Sequence, residues 1–134
     1  MLSTFETHKS GRGFNVQVFD ETDWGGSGLT GDPAAEALRG FLQGAHTQHD
    51  LEYLLIVGDP RDSVGPIPMK TLYPRNPDDG SSFTKIPVPS DYYYADTTGN
   101  WDLDGDNEYG EFGSITGDFG TGGIDRDHEM FVGR

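Results

Sequence analysis

In the stretch from Trp101 to Phe112, WDLDGDNEYGEF, three aspartates alternate with other residues. Asp102, Asp104 and Asp106 are separated by Leu103 and Gly105, so a loop that curls around a point aims all three carboxylates at it. Grouped hard oxygens suit Ca²⁺, which takes roughly six to eight oxygen ligands. The DxDxD opening coincides with positions 1, 3 and 5 of an EF-hand loop, and Glu108 then stands at the seventh, where the ligand is a backbone carbonyl. Two positions depart from that pattern. The sixth, normally Gly for its left-handed turn, is Asn107, which tolerates the conformation better than most residues. The twelfth, where a bidentate Glu belongs, is Gly113, and Glu111 comes two residues early. No amphipathic helix is predicted on either side, so this is an EF-like loop in a non-EF setting. Its five carboxylates, with no Lys or Arg between them, repel one another unless a cation sits among them. The expected ligands are the side chains of Asp102, Asp104, Asp106 and Glu111 and the backbone carbonyl of Glu108, with water or Asp125 completing the shell. The plainer alternative is a solvated acidic loop.

Other candidate sites carry less. Gly26, Gly28 and Gly31 form a GxGxxG string, but in a dinucleotide site the first glycine follows a strand directly and the third lies inside the helix. Here several residues separate Gly26 from the apolar run ending at Phe19, so a surface loop is the simpler reading. His46 and His49 lie three apart without a placed carboxylate, which fits a polar helix terminus better than a metal site. Ser90 and Asp91 lack a nucleophile-elbow sequence, and Asp91 is expected to cap or bond the adjoining loop. Asp59, beside Pro60, reads as a turn former.

The elements that must position the acidic loop follow from periodicity. Leu2 to Ser10 is predicted as a short helix closed by Gly11 and Gly13. Phe14, Val16 and Val18 alternate with Asn15 and Gln17, the pattern of a half-buried strand. Asp32 and Pro33 predict an N-cap and first-turn proline for a helix running to about Ala45, with Ala34, Leu38, Phe41, Leu42 and Ala45 on one face. Tyr53 to Val57 is apolar without alternation, as in a parallel strand covered on both faces. Strand, helix and strand form a βαβ core over about 14–58. Beyond Pro60, a loop-rich, calcium-binding half runs over about 60–134. In it Tyr73 to Ser82 is an exposed turn region, Phe83 to Val88 a strand, and Ser90 to Ala95 a further strand through Tyr92, Tyr93 and Tyr94. Gly113 to Asp127 is irregular, and Met130 to Val132 forms a last short strand. The chain is thus expected to be one α/β subdomain over 1–134, with a small, mostly parallel sheet, flanking helices and a long calcium-binding loop.

Composition bounds the function. The chain has 134 residues, 33% of them hydrophobic, with 20 Gly and 8 Pro, which implies a modest core carrying long loops. A formal net charge of −14 disfavours nucleic acid and anionic membrane, because a phosphate surface repels it. No apolar run approaches the roughly 18 residues of a membrane span, and no signal peptide is evident. Cysteine is absent, which removes disulfides and any thiolate nucleophile within these residues.

The order of motifs resembles the gingipain-like family of cysteine peptidases. The matching pieces are HKSGRGFNVQVF (His8 to Phe19), AAEALRGFL (Ala34 to Leu42), LEYLLIVGDP (Leu51 to Pro60), PSDYYYAD (Pro89 to Asp96), GNWDLDGDNEYGE (Gly99 to Glu111) and EMFVGR (Glu129 to Arg134). The resemblance implies a caspase-like α/β arrangement in secreted, calcium-dependent proteins, and it implies that the acidic loop belongs to members that bind calcium. It also implies that the catalytic His and Cys lie beyond the strand ending in Arg134, and that a first strand precedes Leu2. The expected function is therefore a non-catalytic calcium-binding subdomain of such a peptidase, partnered by calcium and by the rest of a peptidase domain or another copy. Two alternatives are a stand-alone calcium-stabilised module binding protein or glycan through the Tyr92 to Trp101 surface, and a nucleotide-binding α/β protein.

Overall fold

A computed structural model of the chain describes residues 2–61, 63–74, 86–111, 117–125 and 127–134. Helix α1 (Leu2–Ser10) forms where predicted and ends as the Gly11 N–H bonds the Thr7 carbonyl at 3.0 Å. None of its residues is buried. The strand predicted at Phe14 to Val18 does not form, since residues 14–19 join no ladder among the described residues. Their rings pack instead. Phe14 meets Tyr53 edge-on at 5.8 Å, and Phe19 meets Phe41 at 4.9 Å. Alternation specifies which side chains can face a core, but a strand also needs a neighbour for its N–H and C=O groups.

Helix α2 (Gly31–His49) is longer than predicted at both ends. Its N-cap is Thr30, not Asp32; Asp32 and Pro33 sit within the first turn, where N–H groups have no intrahelical partner and an acidic side chain meets the positive end of the helix dipole. Asp50 ends it in the left-handed conformation (φ 53°), its N–H donating to the His46 carbonyl at 3.0 Å. The His46 ring bonds the Leu51 carbonyl at 3.1 Å, so this histidine serves the helix terminus. Ala34, Ala35, Leu38 and Leu42 form the buried stripe.

Strands β1 (Tyr53–Leu55) and β4 (Phe131–Gly133) pair in parallel, Tyr53 opposite Phe131 and Leu55 opposite Gly133. Ile56 and Met130 enter the core with Trp24, Leu72, Tyr93, Tyr94, Trp101 and Ile124, and Leu54 and Val132 pack against it. The expectation that β1 is covered on both faces is not met. Tyr53, Leu55, Val57 and Phe131 are about half exposed, and the Tyr53 and Phe131 rings stack on the outer side at 5.4 Å. An apolar run without alternation is ambiguous about its second face, because what covers that face is not local.

Strands β2 (Lys70–Leu72) and β3 (Val88–Ser90) form a separate antiparallel pair. The strand predicted at Phe83 to Val88 is thus realised at its end only, and residues 75–85 lie outside the described residues, as does most of the turn region predicted there. Tyr92 to Ala95, predicted as strand, is the one-turn helix α3. Ser90 Oγ accepts the Tyr92 N–H at 3.1 Å, and Tyr93 and Tyr94 turn inward to donate their hydroxyls to Glu36 and the Pro68 carbonyl. Tertiary partners for two hydroxyls outweigh a propensity worth at most about 1 kcal/mol. Asp91, at the head of α3, holds Arg134 through two bonds of 2.9 and 2.7 Å, and Arg134 also donates to the Ile67 carbonyl at 2.9 Å. That clamp joins the end of β4 to the segments preceding β2 and α3.

Candidate metal centre

The acidic loop is held at its base before any of its carboxylates is considered. Trp101 is 2% exposed and meets Tyr93 and Tyr92 edge-on at 5.5 and 5.8 Å. Across the base, the Gly110 N–H donates to the Trp101 carbonyl at 2.9 Å. Gly110 has φ 81°, and an added Cβ would lie 3.2 Å from the Trp101 ring, so both conformation and space favour glycine there. Tyr109 supplies the next anchor. Its carbonyl accepts the Tyr73 N–H at 2.8 Å, and its ring lies 3.4 Å from Lys70 Nζ. Burial and the Glu36 carboxylate push the Tyr109 phenol up to about 12, so it stays protonated at neutral pH.

Between these anchors the chain turns on Gly105 (φ 78°) and Asn107 (φ 66°). Asn107 thus adopts the left-handed conformation that its position in the loop pattern requires. Asp102 Oδ1 accepts the Asn107 N–H at 3.1 Å, and Asp106 Oδ1 accepts the Glu108 N–H at 2.8 Å. The predicted residues come together in two overlapping groups. Oxygens of Asp102, Asp104 and Asp106 lie within 4.8 Å of one another, and so do those of Asp106, Glu108 and Glu111. Asp106 belongs to both. Glu108, expected to contribute its carbonyl, brings its carboxylate into the second group. Asp125 belongs to neither, and Gly113, which stands at the twelfth loop position, lies outside the described residues. The donor set is all oxygen and anionic, on a loop whose turn residues already have the needed backbone signs, so these residues fit a hard divalent cation in kind.

Two residues that hold the loop and its approach escaped the sequence reading. Asp118 is fully buried behind the loop, where its carboxylate accepts N–H groups from Leu103, Gly110 (2.7 Å) and Glu111 (3.1 Å). Burial raises its pKa, and the three backbone N–H bonds oppose that shift. The only available signal was that Asp118 is the one charged residue between Gly113 and Ile124. Arg39, on α2, donates to the Tyr93, Asp96 and Gly99 carbonyls at 3.1, 2.8 and 2.7 Å and so fixes the approach to the loop. In the sequence it was a polar position on an otherwise apolar helix face.

Most of the Tyr92 to Trp101 stretch expected to bind protein or glycan is buried. Tyr93, Tyr94 and Trp101 are among the most buried side chains of the fold. The glycine string at Gly26, Gly28 and Gly31 leads into a helix whose first turns carry Asp32 and Glu36, a charge unsuited to phosphate. No helix is long and apolar enough to cross a membrane among the described residues.

No curated protein and no solved structure matches the chain. The sequence model of Peptidase family C25, the gingipain family, matches it over residues 2–134. That span includes helices α1, α2 and α3, the parallel strand pair and the acidic loop, and with it the chain belongs to Peptidase family C25.

Proposed function

We propose that the chain is a non-catalytic, calcium-binding subdomain of a secreted, gingipain-like cysteine peptidase. One observation carries the calcium reading: two carboxylate groups that share Asp106, on a loop closed at its base by Trp101 and Gly110. Ca²⁺ would supply the positive charge that lets Asp102, Asp104, Asp106, Glu108 and Glu111 stay close. Its part is to order the loop. The partner expected on the outer face of β1 and β4 is the rest of a peptidase domain or a second copy, because parallel sheets are normally covered on both sides.

Melting the protein in EDTA and in millimolar Ca²⁺ tests this. At about a hundredfold excess over the dissociation constant, one site adds roughly 2.7 kcal/mol, provided the unfolded chain does not bind. Mg²⁺ is expected to do much less, since its small octahedral shell suits a loop of many oxygens poorly. Asp104→Ala is expected to remove most of the calcium response, and Glu6→Ala, on α1, to leave it intact. Superimposable melts would sink the reading.

The non-catalytic part rests on chemistry. A cysteine peptidase needs a thiolate, and these 134 residues contain no Cys. Incubation with peptide substrates is expected to give no turnover. Activity that co-purifies with the chain through successive columns would contradict this.

A further inference from the structure

We propose that Asp118 is the positioning residue of the acidic loop: it clamps the two arms from behind, and so sets calcium affinity without being a ligand. This rests on the calcium reading above. Asp118 is itself aimed by its backbone, whose N–H donates to the Glu111 carbonyl at 2.9 Å and whose carbonyl accepts the Ile124 N–H at 2.7 Å. Gly123 permits that arrangement, since a Cβ there would lie 1.9 Å from the Asp118 carbonyl oxygen.

The side chain then divides between the arms. Oδ1 accepts the N–H of Leu103, the residue between Asp102 and Asp104 on the outgoing arm. Oδ2 accepts the N–H groups of Gly110 and Glu111 on the returning arm. Both oxygens are therefore turned to backbone donors, and Asp118 is in neither group of clustered carboxylates among the described residues. Without it, the N–H groups of Leu103 and Glu111 lose this acceptor and that of Gly110 keeps only its bond to the Trp101 carbonyl, so the spacing between Asp102 and Asp104 on one side and Glu111 on the other is no longer held. The base is organised before a cation arrives, and only the tip awaits charge. Preorganisation of this kind raises affinity by lowering the ordering cost of binding.

The test uses the full chain loaded with Tb³⁺, whose emission is sensitised by nearby Trp and Tyr rings, followed by displacement with Ca²⁺. Lifetimes in H₂O and D₂O count the waters on the bound ion. Asp118→Asn, which puts an amide N–H₂ where one acceptor stood, is expected to weaken Ca²⁺ by about tenfold or more with an unchanged water count. Asp104→Asn, at a ligand, is expected to change that count. Wild-type affinity in Asp118→Asn overturns the proposal by making the residue merely structural, and an added water overturns it by making Asp118 a ligand. Absence of Tb³⁺ and Ca²⁺ binding to the unaltered chain removes the calcium reading itself. Should Asp118→Asn not fold, amide exchange on the unaltered protein decides. Leu103, Gly110 and Glu111 are expected to be protected in EDTA, whereas free exchange there until calcium is added refutes a preformed clamp.

Discussion

Arg39→Ala is expected to cost the fold about 3–5 kcal/mol, the range found when one partner of a buried charged pair is removed. Arg39 is 9% exposed, and its guanidinium lies 4.0 Å from the fully buried Asp96 carboxylate and 5.0 Å from the Tyr93 ring centroid. Truncation leaves the carbonyls of Tyr93, Asp96 and Gly99 without this donor. It also leaves Asp96, one of whose oxygens has no hydrogen-bond partner, without its cation. Total stability for a domain is only about 5–15 kcal/mol, so the variant sits near the unfolding threshold. Arg39→Lys is expected to recover less than half, because one ammonium cannot span three carbonyls in the planar geometry of a guanidinium.

The same site predicts a pH dependence. Burial, opposed by the Gly99 N–H, raises the Asp96 pKa above its ordinary 3.8. A carboxyl with a raised folded pKa contributes stability below its unfolded pKa and loses that contribution as pH rises through the folded value. Arg39→Ala raises the folded value further, so its deficit is expected to be larger at pH 7 than at pH 4. Urea unfolding followed by tryptophan fluorescence at the two pH values measures both effects. A loss under about 1 kcal/mol, or a deficit that grows on acidification, would refute the assignment of Arg39 as the cation of this network.

Lys70→Ala is expected to cost about 2–4 kcal/mol, chiefly through the space its buried stem fills and the ring contacts its ammonium makes. Lys70 is 1% exposed, with Nζ 2.7 Å from Glu36 Oε1, 3.2 Å from Asp32 Oδ1, and over the Tyr109 and Tyr93 rings. Its carboxylate partners are largely open to water, Asp32 by 66% and Glu36 by 46%, so they regain hydration when the ammonium is removed. The ion pairs themselves therefore weigh less than the packing. Lys70→Met, which keeps the stem, is expected to lose only about 1 kcal/mol, as volume-conserving swaps do. Denaturant titration of the two variants separates these contributions. Equal losses would mean that charge, not volume, holds the site. Because Tyr109 lies within the acidic loop, Lys70→Ala is also expected to loosen the loop base more than Lys70→Met does.

The sequence by itself determined those features whose physics is local. The i, i+3, i+4 spacing of Ala34, Leu38, Leu42 and Ala45 required a helix with one buried stripe, and α2 has it. The alternation of Asp102, Asp104 and Asp106, with Asn107 where a left-handed residue is needed, required a loop that gathers carboxylates, and the oxygens do meet. Tertiary structure decided whatever depended on distant partners. Residues 14–19 carry a strand pattern, yet their aromatic rings found Tyr53 and Phe41 while their backbone found no ladder among the described residues. Tyr93 and Tyr94 became helical because the acceptors for their hydroxyls lie 57 and 26 residues away in the chain. Asp118 and Arg39 read as one acid among glycines and one polar residue on an apolar face. Their roles arise only when folding closes backbone groups over them, since a buried N–H or C=O must find a partner wherever the chain happens to place one.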